Sequence, residues 1–405
     1  MNWYTELAAR YGSPLYVYDL DRVTAAHADL RRALPDGFSL YYSFKANPHP
    51  EIARALRDGG ARAEISSTGE LNAAFAAGFD GSEVLCTGPG KTTEELEIAV
   101  DGGVRAFSVE SLTDLWHVGE VAVKRGVTVD CLLRVNSAEP GAATSIRMTG
   151  APSQFGFDDE TIPGLMPRLR AVPGTRLAGA HLFSLSNSKD EESLVAEFAH
   201  TISVAARLER ETGLPIRLLD IGGGFAAPYL ASGERPVYGG LRAELETVLD
   251  ARFPAWRAGT PEIACESGRY LAGDCGRLVC TVVNVKESRG RRFVILDAGI
   301  NTLGGMSGLG RLLPVSVELD DADFDGERRP ATLVGPLCTP GDIIARNVSL
   351  PPLEPGDVVS IPNAGAYGMT ASLVMFLGHP APIEVVARGH QVVSVSRIEF
   401  NRKYE

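Results

Sequence analysis

Disulfides, zinc clusters and membrane spans are poorly provided for in this chain. Its six cysteines (Cys86, Cys131, Cys265, Cys275, Cys280 and Cys338) are scattered over 405 residues with no Cys-x-x-Cys pair. Neither a disulfide framework nor a structural zinc site is therefore indicated. No apolar run approaches the ~20 residues that a helix needs to cross a bilayer. The first residues, Met1-Asn2-Trp3-Tyr4-Thr5-Glu6, lack the basic and then apolar regions of a signal peptide, so a cytoplasmic location is expected. Positive charge is also short: 39 Lys and Arg stand against 51 Asp and Glu, a net charge of -12. That balance argues against nucleic acid or an anionic membrane surface as the main partner. Any phosphate bound here must be held locally, by backbone amides and a few arginines.

What the chain does have is enough apolar residue, 44%, to fill a large core, and its length suggests two domains. A β-then-α alternation runs through the first two thirds. Strand candidates lie at 38–45, 62–66, 83–86, 105–109, 128–135, 177–183, 217–221 and 262–266, with helical patterns such as Pro50 to Asp58 and Leu194 to Glu211 between most of them. Eight such units argue for parallel strands closed into a (β/α)8 barrel, with a doubly wound open sheet as the alternative. After Gly276 the rhythm changes to short β-branched runs separated by Gly and Pro: Val279 to Val285, Arg292 to Leu296, Pro314 to Glu318, Ala331 to Val334, Asp357 to Ile361 and Ile383 to Val386. That pattern predicts an antiparallel β domain. Leu15 to Tyr18 is the same kind of strand at the front of the chain, so the β domain is expected to take in both ends. The expected division is 21–275 for the barrel and 1–20 with 276–405 for the β domain.

Four constellations could carry chemistry. Tyr41-Tyr42-Ser43-Phe44-Lys45-Ala46-Asn47-Pro48 reads as a buried aromatic strand with a lysine at its tip, broken by Asn-Pro. Poor solvation there would lower the lysine pKa and free the amine to attack a carbonyl. A surface lysine starting a loop is the plainer reading of that residue alone. Leu218-Leu219-Asp220-Ile221-Gly222-Gly223-Gly224-Phe225 sets three glycines after the seventh strand, where their amides could cradle a phosphate; a tight turn explains them as well. Glu266 ends the eighth strand and is followed by Ser267-Gly268-Arg269. The glutamate could meet a protonated ring nitrogen and the arginine a phosphate or carboxylate, although a plain Glu-Arg ion pair also fits. In Gly179-Ala180-His181-Leu182-Phe183-Ser184-Leu185-Ser186, Phe183 could stack on a flat ring and Ser186 bond a phosphate, against the simpler alternative of core packing. Two loops of the β region, Gly335-Pro336-Leu337-Cys338-Thr339-Pro340-Gly341-Asp342 and Asn363-Ala364-Gly365-Ala366-Tyr367-Gly368, carry a lone cysteine and a tyrosine set among glycines.

In this order, from Tyr11-Gly12-Ser13-Pro14-Leu15-Tyr16-Val17-Tyr18 to Gly365-Ala366-Tyr367-Gly368-Met369-Thr370, the segments resemble the fold-type III pyridoxal-phosphate decarboxylases, the group of diaminopimelate and ornithine decarboxylases. The resemblance implies a barrel plus a β domain, pyridoxal 5'-phosphate as cofactor, and a homodimer with shared active sites. It implies that Lys45 forms the aldimine, that Glu266 keeps the pyridine nitrogen protonated, and that a quinonoid intermediate follows loss of CO2. Gly222, Gly223, Gly224, Ser186, Gly268 and Arg269 fall where phosphate or substrate carboxylate is held. Tyr367 matches the cofactor-contacting tyrosine. Cys338 matches the partner-supplied cysteine that protonates the product, and Asp342, the acid just beyond it, joins Arg269, Arg311, Thr339 and Tyr367 as an expected substrate contact.

Three departures narrow the substrate. Phe183 stands where the family usually stacks a histidine on the ring. Thr339 replaces the glutamate that in diaminopimelate decarboxylases grips the distal amine. Their residues for the distal carboxylate have no clear counterpart in Thr302 to Pro314, although Arg311 is nearby. Gly150-Ala151-Pro152-Ser153-Gln154-Phe155-Gly156 and Phe376-Leu377-Gly378-His379-Pro380-Ala381-Pro382 resemble a biosynthetic branch acting on siderophore precursors or on aminoacyl groups held by carrier proteins. The expected substrate is thus an amino acid or derivative, free or carrier-bound, other than diaminopimelate. An amino-acid racemase of the same fold and a catalytically lapsed cofactor-binding homologue are the alternatives; Glu266 speaks against the racemase.

Overall fold

The computed structural model describes residues 2–137, 152–183, 187–304, 317–321 and 323–404. Two compact units emerge: Ala26–Ala226 with Pro236–Gly268, and Met1–Ala25 with Ala227–Arg235 and Arg269–Glu405. In chain order the strands are β1 (Leu15–Asp19), β2 (Ser39–Ser43), β3 (Arg62–Ile65), β4 (Val84–Cys86), β5 (Ala106–Val109), β6 (Val129–Asn136), β7 (Phe157–Asp158), β8 (Thr175–His181), β9 (Leu218–Asp220) and β10 (Glu262–Ser267). They continue with β11 (Gly276–Ser288), β12 (Arg291–Leu296), β13 (Arg329–Val334), β14 (Ile343–Leu350), β15 (Val358–Ile361), β16 (Ile383–Arg388) and β17 (Gln391–Arg397).

The first of the two units named above is a closed parallel barrel. Its eight strands follow one another as β2, β3, β4, β5, β6, β8, β9 and β10, and β10 returns to pair with β2 in the register Glu266–Tyr41 and Ser267–Tyr42. The closed barrel, rather than the open sheet, is the outcome. Tyr41, Leu85, Leu132, Ala178 and Ala264, from five different strands, pack as one cluster in its interior. Helices follow the strands and are capped locally. Ser67, Thr92 and Ser111 each accept a hydrogen bond from the amide three residues on, which satisfies one otherwise orphaned donor at each helix start. Among the described residues no helix is long and apolar enough to cross a membrane.

The second unit is a sheet built from both chain ends, in the order β14-β13-β12-β11-β1-β16-β17, with β15 also paired to β11. It is mixed rather than wholly antiparallel, because β1 runs parallel to β16 and β12 parallel to β13. A strand drawn from the front of the chain can be inserted beside β16 in either sense, since no hairpin fixes its direction. Leu15 and Val17 pack with Val279 and Val385, and the helix Trp3–Tyr11 adds Leu7 and Ala8 to that core. Two strands went unanticipated, β14 and β17. Asn347 takes a positive φ of 56° inside β14, where Arg346 also interrupts the apolar alternation. β17 is half exposed along its length. The expected strand at Pro314 to Glu318 lies partly outside the described residues, and Val317 and Glu318 are not in a strand.

Glu384 of β16 is buried in this sheet, and burial pushes its carboxyl up to about 7, partly offset by a 3.1 Å hydrogen bond from the Tyr18 hydroxyl. The folded form therefore holds a proton that the unfolded chain has already released, so this residue costs stability as pH rises from about 4.5 to about 7. Glu384→Gln is expected to raise the urea midpoint at pH 8 and to leave it nearly unchanged at pH 4. Equal effects at both pH values would contradict this account.

Candidate active site

Functional side chains of the barrel gather at the C-terminal ends of its strands, where a closed parallel barrel leaves its mouth. Lys45 follows β2 in a single 3-10 turn, Phe44–Ala46, rather than ending the strand. The strand itself is buried, but the lysine side chain is 43% exposed, which corrects the expectation of a poorly solvated amine. The turn swings it out of the strand line and over the mouth. Its Nζ lies 3.8 Å from Oε2 of the buried Glu64 at the end of β3 and 5.2 Å from the centre of the Phe183 ring. Glu64 is held from its other oxygen by the Thr87 hydroxyl.

Beneath that amine lies a buried ionisable cluster. His181 closes β8, Asp220 closes β9 and Glu266 sits near the end of β10; all three are at most 2% exposed. His181 Nε2 lies 3.2 Å from Glu266 Oε1, an ion-pair distance, although neither atom has a well-aligned hydrogen bond. On its other side Nδ1 shares a 2.8 Å hydrogen bond with the Ser108 hydroxyl of β5. Burial alone would lower the His181 pKa, but the charges of Asp220 and Glu266 outweigh it and raise it. Burial alone would likewise raise Glu266; the His181 imidazole in its protonated form, with Lys45 and Arg134 further off, holds it below the usual carboxylate range. Asp220 goes the other way, pushed up by burial and by the Glu266 charge. Arg134 of β6 is clamped by Glu110, with Nη1 2.9 Å from Oε1. The Gly156 amide donates to the other Glu110 oxygen, and the Arg134 guanidinium lies 4.7 Å from the centre of the Phe155 ring.

The glycine run closes one side. Gly222 and Gly224 have positive φ, and the Gly222 amide donates to Asp220 Oδ1 at 2.9 Å. A Cβ on Gly223 would meet the Glu266 carbonyl at 2.4 Å, and one on Gly222 the Leu182 carbonyl at 2.4 Å. The run is thus both a turn that requires glycine and a close approach to the strand ends that carry Phe183 and Glu266. Gly268 is pressed against Ala46 and Ser43, beside the lysine turn. An amine, a buried carboxylate with an oxygen lacking an aligned partner, an aromatic ring and a turn of small residues suit an aldehyde-bearing, anionic pyridine. The His181, Asp220 and Glu266 ligand atoms lie within 4.8 Å of one another and could also face a cation.

Five of the expected positions, Arg269, Cys338, Thr339, Asp342 and Tyr367, belong to the other unit. Arg269 has its guanidinium between two tyrosine rings, 4.7 Å from the centre of Tyr367 and 5.3 Å from that of Tyr229. Tyr367 has φ of 52°, and its carbonyl accepts a 2.9 Å hydrogen bond from the Tyr229 hydroxyl. Cys338 is exposed on its loop, with Thr339 beside it. Asp342 is corrected: it is buried, and its two oxygens accept the amides of Ile300 at 2.8 Å and Leu337 at 2.7 Å. Both oxygens are committed to backbone, so its part is to hold the Cys338 loop rather than to meet substrate. Ser186, Arg311, Gly150 and Ala151 lie outside the described residues.

A family model described as "Pyridoxal-dependent decarboxylase, pyridoxal binding domain" matches residues 20–273. The chain belongs to the pyridoxal-dependent decarboxylases. It is an enzyme that uses pyridoxal phosphate to remove a carboxyl group from an amino acid or amino-acid derivative. It is 33% identical over 393 residues to an L-glutamyl-[BtrI acyl-carrier protein] decarboxylase of Niallia circulans, covering 95% of this chain and 91% of that protein. A diaminopimelate decarboxylase of Methanothermobacter thermautotrophicus is 31% identical over 391 residues, covering 96% and 89%. Among solved structures, lysine decarboxylase from Selenomonas ruminantium superposes with a TM-score of 0.80 at 26% identity, covering 95% of this chain and 94% of that one.

Sequence reading had not included Glu64, Ser108, Glu110, Arg134 or Asp220 in the decarboxylase site. A usable signal existed for three of them: acidic residues at the ends of apolar strands, in Ala63-Glu64-Ile65, Val109-Glu110 and Leu219-Asp220. Ser108 and Arg134 gave none, because their roles arise only from neighbours on other strands. Gly223→Ala forces its loop away from the Glu266 backbone, and displacements near ~1 Å cost about a hundredfold in rate. The expected result is weaker cofactor retention on gel filtration and a turnover loss of about that size; full retention and unchanged turnover would contradict the close approach.

Proposed function

We propose that Lys45 holds pyridoxal phosphate, that Glu266 faces its ring nitrogen, and that Phe183 lies against the ring. The observation that carries this reading is the convergence of the Lys45 amine, the Phe183 ring and the buried Glu266 on one end of one barrel. Pyridoxal phosphate, when bound, accepts the electron pair that departing CO2 leaves at the substrate Cα. The protein's own contribution is placement and charge. Gly222 to Gly224 offer backbone amides to the phosphate, with Ser186, Gly268, Arg269 and Tyr367 as further contacts. Glu266, kept anionic by its cationic neighbours, stabilises a positive ring nitrogen. Cys338, exposed on its loop, is assigned the protonation of Cα from the partner subunit of a homodimer. A cytoplasmic setting suits its unpaired cysteines.

For the substrate we infer an aminoacyl group rather than diaminopimelate, with a carrier protein as the group that delivers it. Thr339, without charge, cannot pair with a distal ammonium, and the related L-glutamyl carrier-protein decarboxylase shares nearly the whole chain. Arg311, Thr339, Arg269 and Tyr367 are the candidates for contacting the substrate. Lys45→Ala is expected to abolish both turnover and the absorbance near ~420 nm that reports the cofactor joined to the lysine. Surviving turnover would refute the lysine assignment. With the unsubstituted enzyme, CO2 release from a glutamyl carrier protein should exceed that from diaminopimelate by about a hundredfold or more, the scale on which a pocket rejects a side chain it does not fit. Comparable rates would refute the substrate assignment.

A further inference from the structure

We propose that His181 is a positioning residue for Glu266: clamped by Ser108 on one side, its imidazolium fixes the Glu266 carboxylate and keeps it anionic toward the ring nitrogen. The inference rests on the assignment of Glu266 above, and goes beyond it in making that carboxylate's charge depend on a second residue. Three strands that are not neighbours in the barrel supply the chain: Ser108 from β5, His181 from β8 and Glu266 from β10. The imidazole therefore spans the interior just below the mouth, 2.8 Å from the serine hydroxyl and 3.2 Å from the carboxylate. All three side chains are buried, so no water shell competes for these contacts.

The electrostatic reason for the arrangement is that Glu266 does not stand alone. Asp220, on the neighbouring β9, is buried beside it, and two buried carboxylates at this range cannot both stay charged without a cation. The groups that face the cluster are Asp220 and Glu64 on the acidic side, and Lys45 and Arg134 on the basic side. Arg134 is already engaged by Glu110, and Lys45 is engaged by Glu64 at the mouth and is the amine assigned to the cofactor. His181 is the cation in direct contact with Glu266. Its proton decides which carboxylate takes the next one: Asp220 is pushed toward the neutral form and Glu266 toward the anion. Asp220 in turn accepts the Gly222 amide, so the same partition ties the glycine turn to the ring-nitrogen end.

The test uses the enzyme with cofactor bound. By 15N NMR, the imidazole signal that Ser108→Ala perturbs should show both nitrogens protonated at pH 7.5; a neutral imidazole there overturns the proposal. In His181→Gln, which keeps a neutral donor but no charge, the acid limb of the kcat profile should move up by about one pH unit or more, the scale of a lost neighbouring charge. The cofactor band should lose its protonated-ring form over the same range. An acid limb and spectrum identical to those of the unsubstituted enzyme overturn the inference, since a merely structural histidine would alter stability alone. If His181→Gln does not fold, the NMR result on the unsubstituted enzyme decides. Glu266→Gln separates the two levels. A changed spectrum there with none in His181→Gln rejects only the histidine's part, whereas no change in Glu266→Gln rejects the assignment of Glu266 as well.

Discussion

Taking carboxylates out of water costs several kcal/mol each unless a counter-charge travels with them. The His181–Glu266 contact is where this enzyme meets that demand, and much of the mouth is arranged around it. Ser108 bonds the imidazole, burial and the Glu266 charge push the Asp220 pKa up, and Arg134 is engaged by Glu110. Lys45 lies above, partly open to solvent and close to Glu64. The result is an anion kept available in an apolar barrel interior, where its field is weakened little by water.

The barrel makes this possible because its closure brings non-adjacent strands within reach of one another. A hydrogen bond from β5 to β8 and an ion pair from β8 to β10 would be out of reach in an open sheet with the same strand sequence. Phe183 keeps a flat apolar face near the lysine, 5.2 Å from Nζ, while the imidazole at 181 sits two residues earlier and deeper. The second unit uses buried carboxylates differently. Asp342 ties two loops through backbone amides, and Glu384 is left with a hydrogen bond from one tyrosine and a raised pKa.

Local pattern was enough for the architecture. Each barrel strand is a short apolar run bounded by Gly, Pro or a helix cap, so all eight could be counted, with ends off by a few residues. The β domain was harder. β14 carries a bulged Asn347 and β17 an exposed face, so neither gives a clean apolar signal. The parallel pairing of β1 with β16 was hidden for another reason, since strand direction is set by a partner hundreds of residues away.

Lys45, the glycine run and Glu266 could be read from residue type and order, because an amine, a turn without side chains and an acid at strand ends are local chemical facts. Solvation could not: whether Lys45 was buried depended on a one-turn 3-10 segment that lifts it clear of β2. Nor could partnership. Asp342 looked available, but amides from two separate loops occupy its oxygens, and Ser108 and Arg134 acquire meaning only beside His181 and Glu266. Which groups the chain contains is written in its order; which of them share a proton depends on distances of about 3 Å that only the closed barrel creates.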